Sequence, residues 1–211
     1  MKNLAKTMML GLAFSMTACS SDDKDSEPVK EPSAKLVVEN NTVLNIPDGV
    51  SATIAGVAEN SVAVNVEGVI ADASKVSIKL DLQHPWAGDL AVQLFAPSGE
   101  SCTLFKRIGA ETAGTNRDFL SGNVLIFNSK ATVNINEMAT TGVATNIPAG
   151  TYLPGKGTPV FPEAIVITDL ANFLTGKSIK GDWKIKVSDC SGVDTGKLNK
   201  WALEFDTAAL E

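Results

Sequence analysis

The strongest constraint on this chain is the alternation of apolar and polar residues near its C-terminal end. Trp183, Ile185 and Val187 alternate with polar residues, and Trp201, Leu203 and Phe205 repeat the pattern. A period of two puts one set of side chains on one face of an extended strand, so both stretches read as half-buried strands. The loop between them is polar and carries Gly192 and Gly196, which allow a tight reversal. The same alternation recurs at Val62, Val64 and Val66, at Val76, Ile78, Leu80 and Leu82, and at Leu90, Val92 and Leu94, while the run from Val124 to Phe127 reads as a more buried strand. Glycine, proline and asparagine punctuate these runs, and Ile46-Pro47-Asp48-Gly49 marks a turn near the start of the folded part. The one helical signal is a short turn from Thr168 or Asp169 to Leu174, stopped by Gly176. Many short strands between turn residues argue for an all-β fold, an antiparallel β-sandwich in a single domain over residues 41–211.

The N-terminal end carries a different message. Lys2 and Lys6 precede an apolar run from Met8 to Phe14, and small residues then lead to Cys19, the layout of a cleaved export signal. The run is too short to span a bilayer as a helix. Met16-Thr17-Ala18-Cys19 resembles a bacterial lipobox, which implies a signal peptide over residues 1–18 and lipidation of Cys19. Acyl chains on Cys19 would anchor the protein without spanning the membrane. Residues 19–40, in which Ser and Asp follow Cys19 directly, read as a flexible acidic tether. Ser21-Asp22-Asp23 resembles the acidic signal of surface lipoproteins. The expectation is a lipoprotein of the cell envelope, at the outer membrane, exposed at the surface if that signal acts.

The chain holds 18 basic and 24 acidic residues, and loss of Lys2 and Lys6 with the signal would take the net charge from −6 to −8. With no basic cluster to offset it, this balance makes the chain a poor candidate for nucleic acid or an anionic lipid surface.

Two blocks carry a family signature. His84, Gly88, Asp89 and Leu90 fall in an H-x-x-x-G-D-L pattern followed by Pro97 and Gly99. Gly181, Trp183, Val187 and Asp189 are followed by Asp194, Gly196, Leu198, Trp201, Leu203 and Phe205 in a second pattern. In this order they resemble the P domain (P/Homo B domain) that follows the catalytic domain in proprotein convertases and many bacterial subtilisin-like proteases, over roughly Asn41 to Thr207. The resemblance implies a jelly roll and a non-catalytic module that packs against a protease, stabilises it and influences its calcium and pH dependence. The implied partner is a subtilisin-like protease. Gly150-Thr151-Tyr152-Leu153-Pro154 matches the family's G-x-Y-x-P turn. The acidic run that the family often shows after a central strand is replaced here by Ile126-Phe127-Asn128-Ser129-Lys130-Ala131, which removes the basis for a metal site there.

His84 is the only histidine, and no G-x-S-x-G elbow accompanies it. That count argues against a Ser-His-Asp enzyme and for a structural histidine. Asp89, Asp189 and Asp194 are weak calcium candidates, whose alternative role is capping turns by accepting backbone N–H bonds. Cys102 and Cys190, as the remaining pair of an exported chain, are expected to form a disulfide, the alternative being two buried thiols. A carbohydrate-binding jelly roll is the second functional class. It would need exposed aromatic platforms, for which Trp86 and Tyr152 are the candidates, since Trp183 and Trp201 occupy the apolar phase of their strands.

Overall fold

The computed structural model describes residues 34–51, 54–109, 115–140, 145–156 and 169–211. The signal peptide, Cys19 and the start of the tether lie outside the described residues. In chain order the strands are β1 (Lys35–Asn40), β2 (Leu44–Ile46), β3 (Gly56–Val64), β4 (Val76–Gln83), β5 (Leu90–Phe95), β6 (Ser101–Lys106), β7 (Asp118–Phe119), β8 (Leu125–Phe127), β9 (Asn146–Ile147), β10 (Gly150–Tyr152), β11 (Gly155–Lys156), β12 (Gly181–Asp189) and β13 (Gly196–Asp206). Two short helices, α1 (Ile135–Thr140) and α2 (Leu170–Leu174), complete the inventory of longer elements. The Asp169 carboxylate caps α2 by accepting the Asn172 N–H, which matches the helical signal in the sequence.

One sheet runs β1-β13-β4-β8-β10, with β2 also on β13, and the other runs β11-β6-β5-β12-β3. Taking β1, β3, β4, β5, β6, β8, β12 and β13 as the eight principal strands, one sheet orders them first, eighth, third, sixth and the other second, seventh, fourth, fifth. This interleaving is the jelly roll. All pairings among these eight are antiparallel, and the parallel ones are confined to the small strands β10 on β8, β11 on β6, and β7 on β9. The segment carrying β10 and β11 therefore joins the edges of both sheets on one side. On the other side the Asn40 side chain donates to the Ser61 carbonyl at 2.9 Å, tying β1 to β3.

The core is what the alternation specified. Trp183, Ile185 and Val187 are fully buried from β12, as are Leu203 and Phe205 from β13 with Trp201 at 1% exposure. The Trp183 and Phe205 rings meet across the sandwich with centroids 6.4 Å apart. Each buried indole N–H finds an acceptor, Trp183 on the Ile179 carbonyl at 2.8 Å and Trp201 on the Asn60 amide oxygen at 2.5 Å. Among the described residues no helix is long and apolar enough to cross a membrane.

Three expectations need correction. First, β12 and β13 do not form a hairpin: β12 pairs β3 and β5, while β13 pairs β1, β2 and β4. The Gly-bearing loop crosses from one sheet to the other, so both apolar faces can enter one core from opposite sides. Second, residues 35–40 are not tether, because β1 pairs β13 from Lys35–Asp206 to Asn40–Trp201, with Leu36 and Val38 packed against the core. Third, Cys102 and Cys190 are not bridged and both are buried. On β5, Leu94 faces Cys102 while Leu90 faces Asp189, so the cysteines stand toward opposite ends of that strand. Four residues of strand alone separate those positions by about 13 Å, beyond the roughly 7 Å Cα limit for a disulfide.

Candidate functional site

The two sequence blocks meet at one end of the sandwich, where β4, β6 and β12 finish and β3, β5 and β13 begin. His84 follows β4 and exchanges two backbone hydrogen bonds with Phe119 at 2.9 and 2.8 Å, so its main chain is fixed before its ring is placed. The ring is sealed, with 1% of the residue exposed. Its Nε2 donates to Asp189 Oδ2 at 3.1 Å, and its Nδ1 lies 3.1 Å from the Trp86 N–H, which it accepts, and 2.9 Å from the Trp86 carbonyl, to which the doubly protonated ring donates. Burial alone would lower the imidazole pKa, but the Asp189 carboxylate, the Trp86 carbonyl and the charge of Asp89 together outweigh it and raise the pKa above its ordinary value.

Asp189 ends β12 with no exposure. Its second oxygen, Oδ1, accepts the Ser191 N–H at 3.0 Å, an Asx turn that sets the direction of the crossing loop. Asp89 closes the turn Ala87–Asp89 after Trp86, is 5% exposed, and sits with Oδ1 3.8 Å from Arg107 Nη2. Burial and the charge of Asp189 push the Asp89 carboxyl up to about 6, against the opposing pull of Arg107 and His84. Arg107 is itself buried, donates from Nε to the Gly88 carbonyl at 3.0 Å, and holds a positive φ of 40°. The Cys190 N–H donates to the Asp89 carbonyl at 2.9 Å, closing the ring of contacts between the two blocks. Burial pushes the Cys190 thiol up to about 12, which leaves it without nucleophilic character at neutral pH.

Two glycines make this packing possible. A Cβ on Gly196 would lie 2.4 Å from His84 Cδ2 and 2.6 Å from the Gln83 carbonyl oxygen. A Cβ on Gly49 would lie 2.5 Å from the Asp189 carbonyl oxygen and 2.9 Å from the Ser191 nitrogen. The loop after β2 therefore lies directly on the loop after β12. Beside His84 the outer face opens into a cleft of about 720 Å³, lined among others by Asn45, Gln83, Asp118, Leu120, Thr195 and Lys197.

The structure thus brings His84, Gly88, Asp89, Asp189 and Gly196 into one cluster, with the charge of Asp194 felt at Asp89. Trp183 and Trp201 are remote from it, in the core. Arg107 and Gly49 belong to the cluster but were not singled out in the sequence. The only trace of Arg107 is a Lys-Arg pair directly after the apolar strand ending at Phe105, and Gly49 was visible as a turn residue with no stated contact. The calcium candidates do not fit a metal. Both Asp189 oxygens already accept hydrogens, Asp89 lies against Arg107, and among the described residues no group of three or more His, Cys, Asp or Glu is arranged to hold an ion. Where the family often has acids after the central strand, Asn128 donates to the Ser74 and Val76 carbonyls at 3.0 Å each, a structural knot. Tyr152, considered as a sugar platform, is 3% exposed and donates its hydroxyl to the Pro148 carbonyl at 2.8 Å, leaving Trp86 as the one exposed ring of that pair.

The His84 ring is buried with both nitrogens engaged, and the cluster it anchors holds loops together. The fold and site define a jelly-roll module whose loop end is cross-braced by buried charge. The profile of the proprotein convertase P-domain matches residues 73–134 and 165–205, and the chain belongs to that family. No curated protein matches the chain. Among solved structures it is similar to a serine protease of Aeromonas sobria, at 16% identity and a TM-score of 0.39, over 82% of this chain and 27% of the protease. The same protease in complex with a chaperone matches at 15% identity and a TM-score of 0.40, again over 82% and 27%. The chain spans about a quarter of the length of those proteases.

Proposed function

We propose that this P domain is a non-catalytic, protease-associated module that binds and stabilises a subtilisin-like serine protease in the cell envelope, tethered there through a lipid on Cys19. The observation that carries this reading is the P-domain match across both sequence blocks. The sealed state of His84, which leaves the site no base to offer, is consistent with it. The outer membrane, and its external face, is the location that the lipobox and the acidic residues after Cys19 favour. The test is to label an envelope fraction with a fluorophosphonate probe, which marks active serine hydrolases, and to isolate the domain. Recovery of a labelled subtilisin-like protease, whose heat inactivation is slowed by added domain, is the expected result. A domain that isolates with no labelled protease refutes the proposal.

A further inference from the structure

Among the described residues one edge of the sandwich is long and unprotected. β1 and β2 share one flank of the first sheet and β10 the other, while β11 and β3 flank the second. β2, β10 and β11 are three residues long or fewer, and β1 carries the charges of Lys35 and Glu39 in six residues. Short length and edge charge both discourage pairing with a further strand. β3 has nine residues, Gly56–Val64, with no proline, no lysine and no register shift against β12. Its single charged residue, Glu59, is held by Lys184 Nζ at 2.9 Å within its own sheet. The direction of its free backbone groups follows from the ladders beside it. The Leu90 carbonyl accepts the Arg107 N–H and the Ala96 N–H donates to the Glu100 carbonyl, so the even-numbered residues of β5 turn toward β6. Direction alternates along a strand, so Ala91, Gln93 and Phe95 bond Ser188, Lys186 and Lys184, and Val187, Ile185 and Trp183 turn toward β3. Their partners there are Ala58, Asn60 and Val62, which leaves the N–H and C=O of Val57, Glu59, Ser61 and Ala63 pointing out of the sheet. The Ser61 carbonyl accepts the Asn40 side chain at 2.9 Å, as an outward group can.

We propose that the β3 edge is a self-association surface, to which a second copy of this chain adds its own β3 antiparallel about a twofold axis. One twofold register overlaps the whole strand, with Asn60 opposite Asn60 of the other copy. In that register the outward groups of Val57 meet those of Ala63, and those of Glu59 meet Ser61, so donors and acceptors coincide. The side chains of these four residues are exposed on one face, where Val57 then lies beside Ala63 and no charge faces its like. A register that sets Glu59 against Glu59 opposes like charges and shortens the overlap. On the surface next to the edge Lys184 and Lys186 balance Glu59 and Asp182, so the acidity of the chain is not concentrated here. Pairing replaces the Asn40 contact at the Ser61 carbonyl, and it is independent of any protease partner.

The test is sedimentation equilibrium of the full chain, purified in detergent so that any lipid on Cys19 is kept. Melting curves check that each variant folds. The expected result is a reversible dimer. Ser61→Glu sets a glutamate against Glu59 on both sides of the twofold axis and should raise the dimer dissociation constant at least about fivefold. Adding Glu59→Lys sets a lysine against each new glutamate and should bring the constant back to within about twofold of the wild type. A chain that stays monomeric up to about 1 mM, a dimer indifferent to Ser61→Glu, or a loss that Glu59→Lys does not repair overturns the proposal.

Discussion

Replacing Gly196 by alanine tests whether the His84 cluster is as tightly built as its distances imply. The new methyl carbon would fall 2.4 Å from His84 Cδ2, 3.1 Å from His84 Cγ and 2.6 Å from the Gln83 carbonyl oxygen. Neither neighbour has room to yield, since the ring is sealed and Gln83 is paired with Lys197 in the β13–β4 ladder. Overpacking of this kind costs about 1–3 kcal/mol. Displacing the ring also strands the buried Asp189 oxygen that Nε2 serves, at about 1–3 kcal/mol more. Against this, alanine restricts the unfolded chain and returns roughly 0.4–1 kcal/mol. A net loss of about 3 kcal/mol follows, which for a domain of this size lowers Tm by about 6–12 °C. Differential scanning calorimetry reads that shift directly. A double-mutant cycle then assigns its cause: with His84→Ala as background, the ring is gone, so the alanine at 196 should cost at least about 1 kcal/mol less than in the wild type. An unchanged Tm, or costs that add within about 0.5 kcal/mol, would refute the claim that the methyl acts through His84.

Stability should also depend on pH through two groups of the same sign. The Asp89 carboxyl is raised from 3.8 to about 6, so its contribution is full below its unfolded pKa and lost as pH rises through about 6. His84, raised above 6.5, adds a further loss as pH climbs past its folded value, whereas Glu204, lowered by Lys35 and Lys79, works the other way below the usual carboxylate range. The difference in Tm between wild type and Asp89→Asn, followed from pH 4 to 7, isolates the first effect, and a flat difference refutes it. Because Cys102 and Cys190 are buried and unbridged, dithiothreitol should leave Tm unchanged, and both should alkylate on unfolding without reductant. An intramolecular crosslink by mass spectrometry would overturn that geometry. Because both Asp189 oxygens already accept hydrogen bonds and Asp89 lies against Arg107, chelation by EDTA should shift Tm by less than about 1 °C, and a shift of several degrees that vanishes in Asp189→Ala would restore calcium. Cys19→Ser should release the protein from membranes, and continued membrane fractionation would count against the lipid anchor.

What the sequence made legible was whatever a period of two and turn residues encode. The alternating runs became β3, β4, β5, β12 and β13, and the residues in their apolar phase became the core, except Val66, which lies beyond the end of β3 and is 47% exposed, because alternation and burial on a pleated sheet are the same geometric fact only while the strand lasts. What stayed hidden was pairing. The polar loop after Asp189 looks the same whether it closes a hairpin or crosses a sandwich, and only the whole sheet order decides. The cysteines failed for the same reason: nearness to recognised strand ends says nothing about which end, and Cys102 and Cys190 lie toward opposite ones.

The candidate site divides along the same line. Its carboxylates and histidine stood out as matched residues, but the feature that gives them their character is a partner contributed by pairing, Arg107 at the end of β6. Without Arg107, Asp89 and Asp189 would be two buried acids served by one imidazole, and the cost of that charge would be unmet. With it, the two buried acids stand against the Arg107 guanidinium as well as the His84 ring. The cluster therefore joins the ends of β4, β6 and β12 at little net charge. This explains why a residue set that looks like part of a catalytic triad is sealed from solvent. The cluster braces the loops that carry β4, β6 and β12 to their ends.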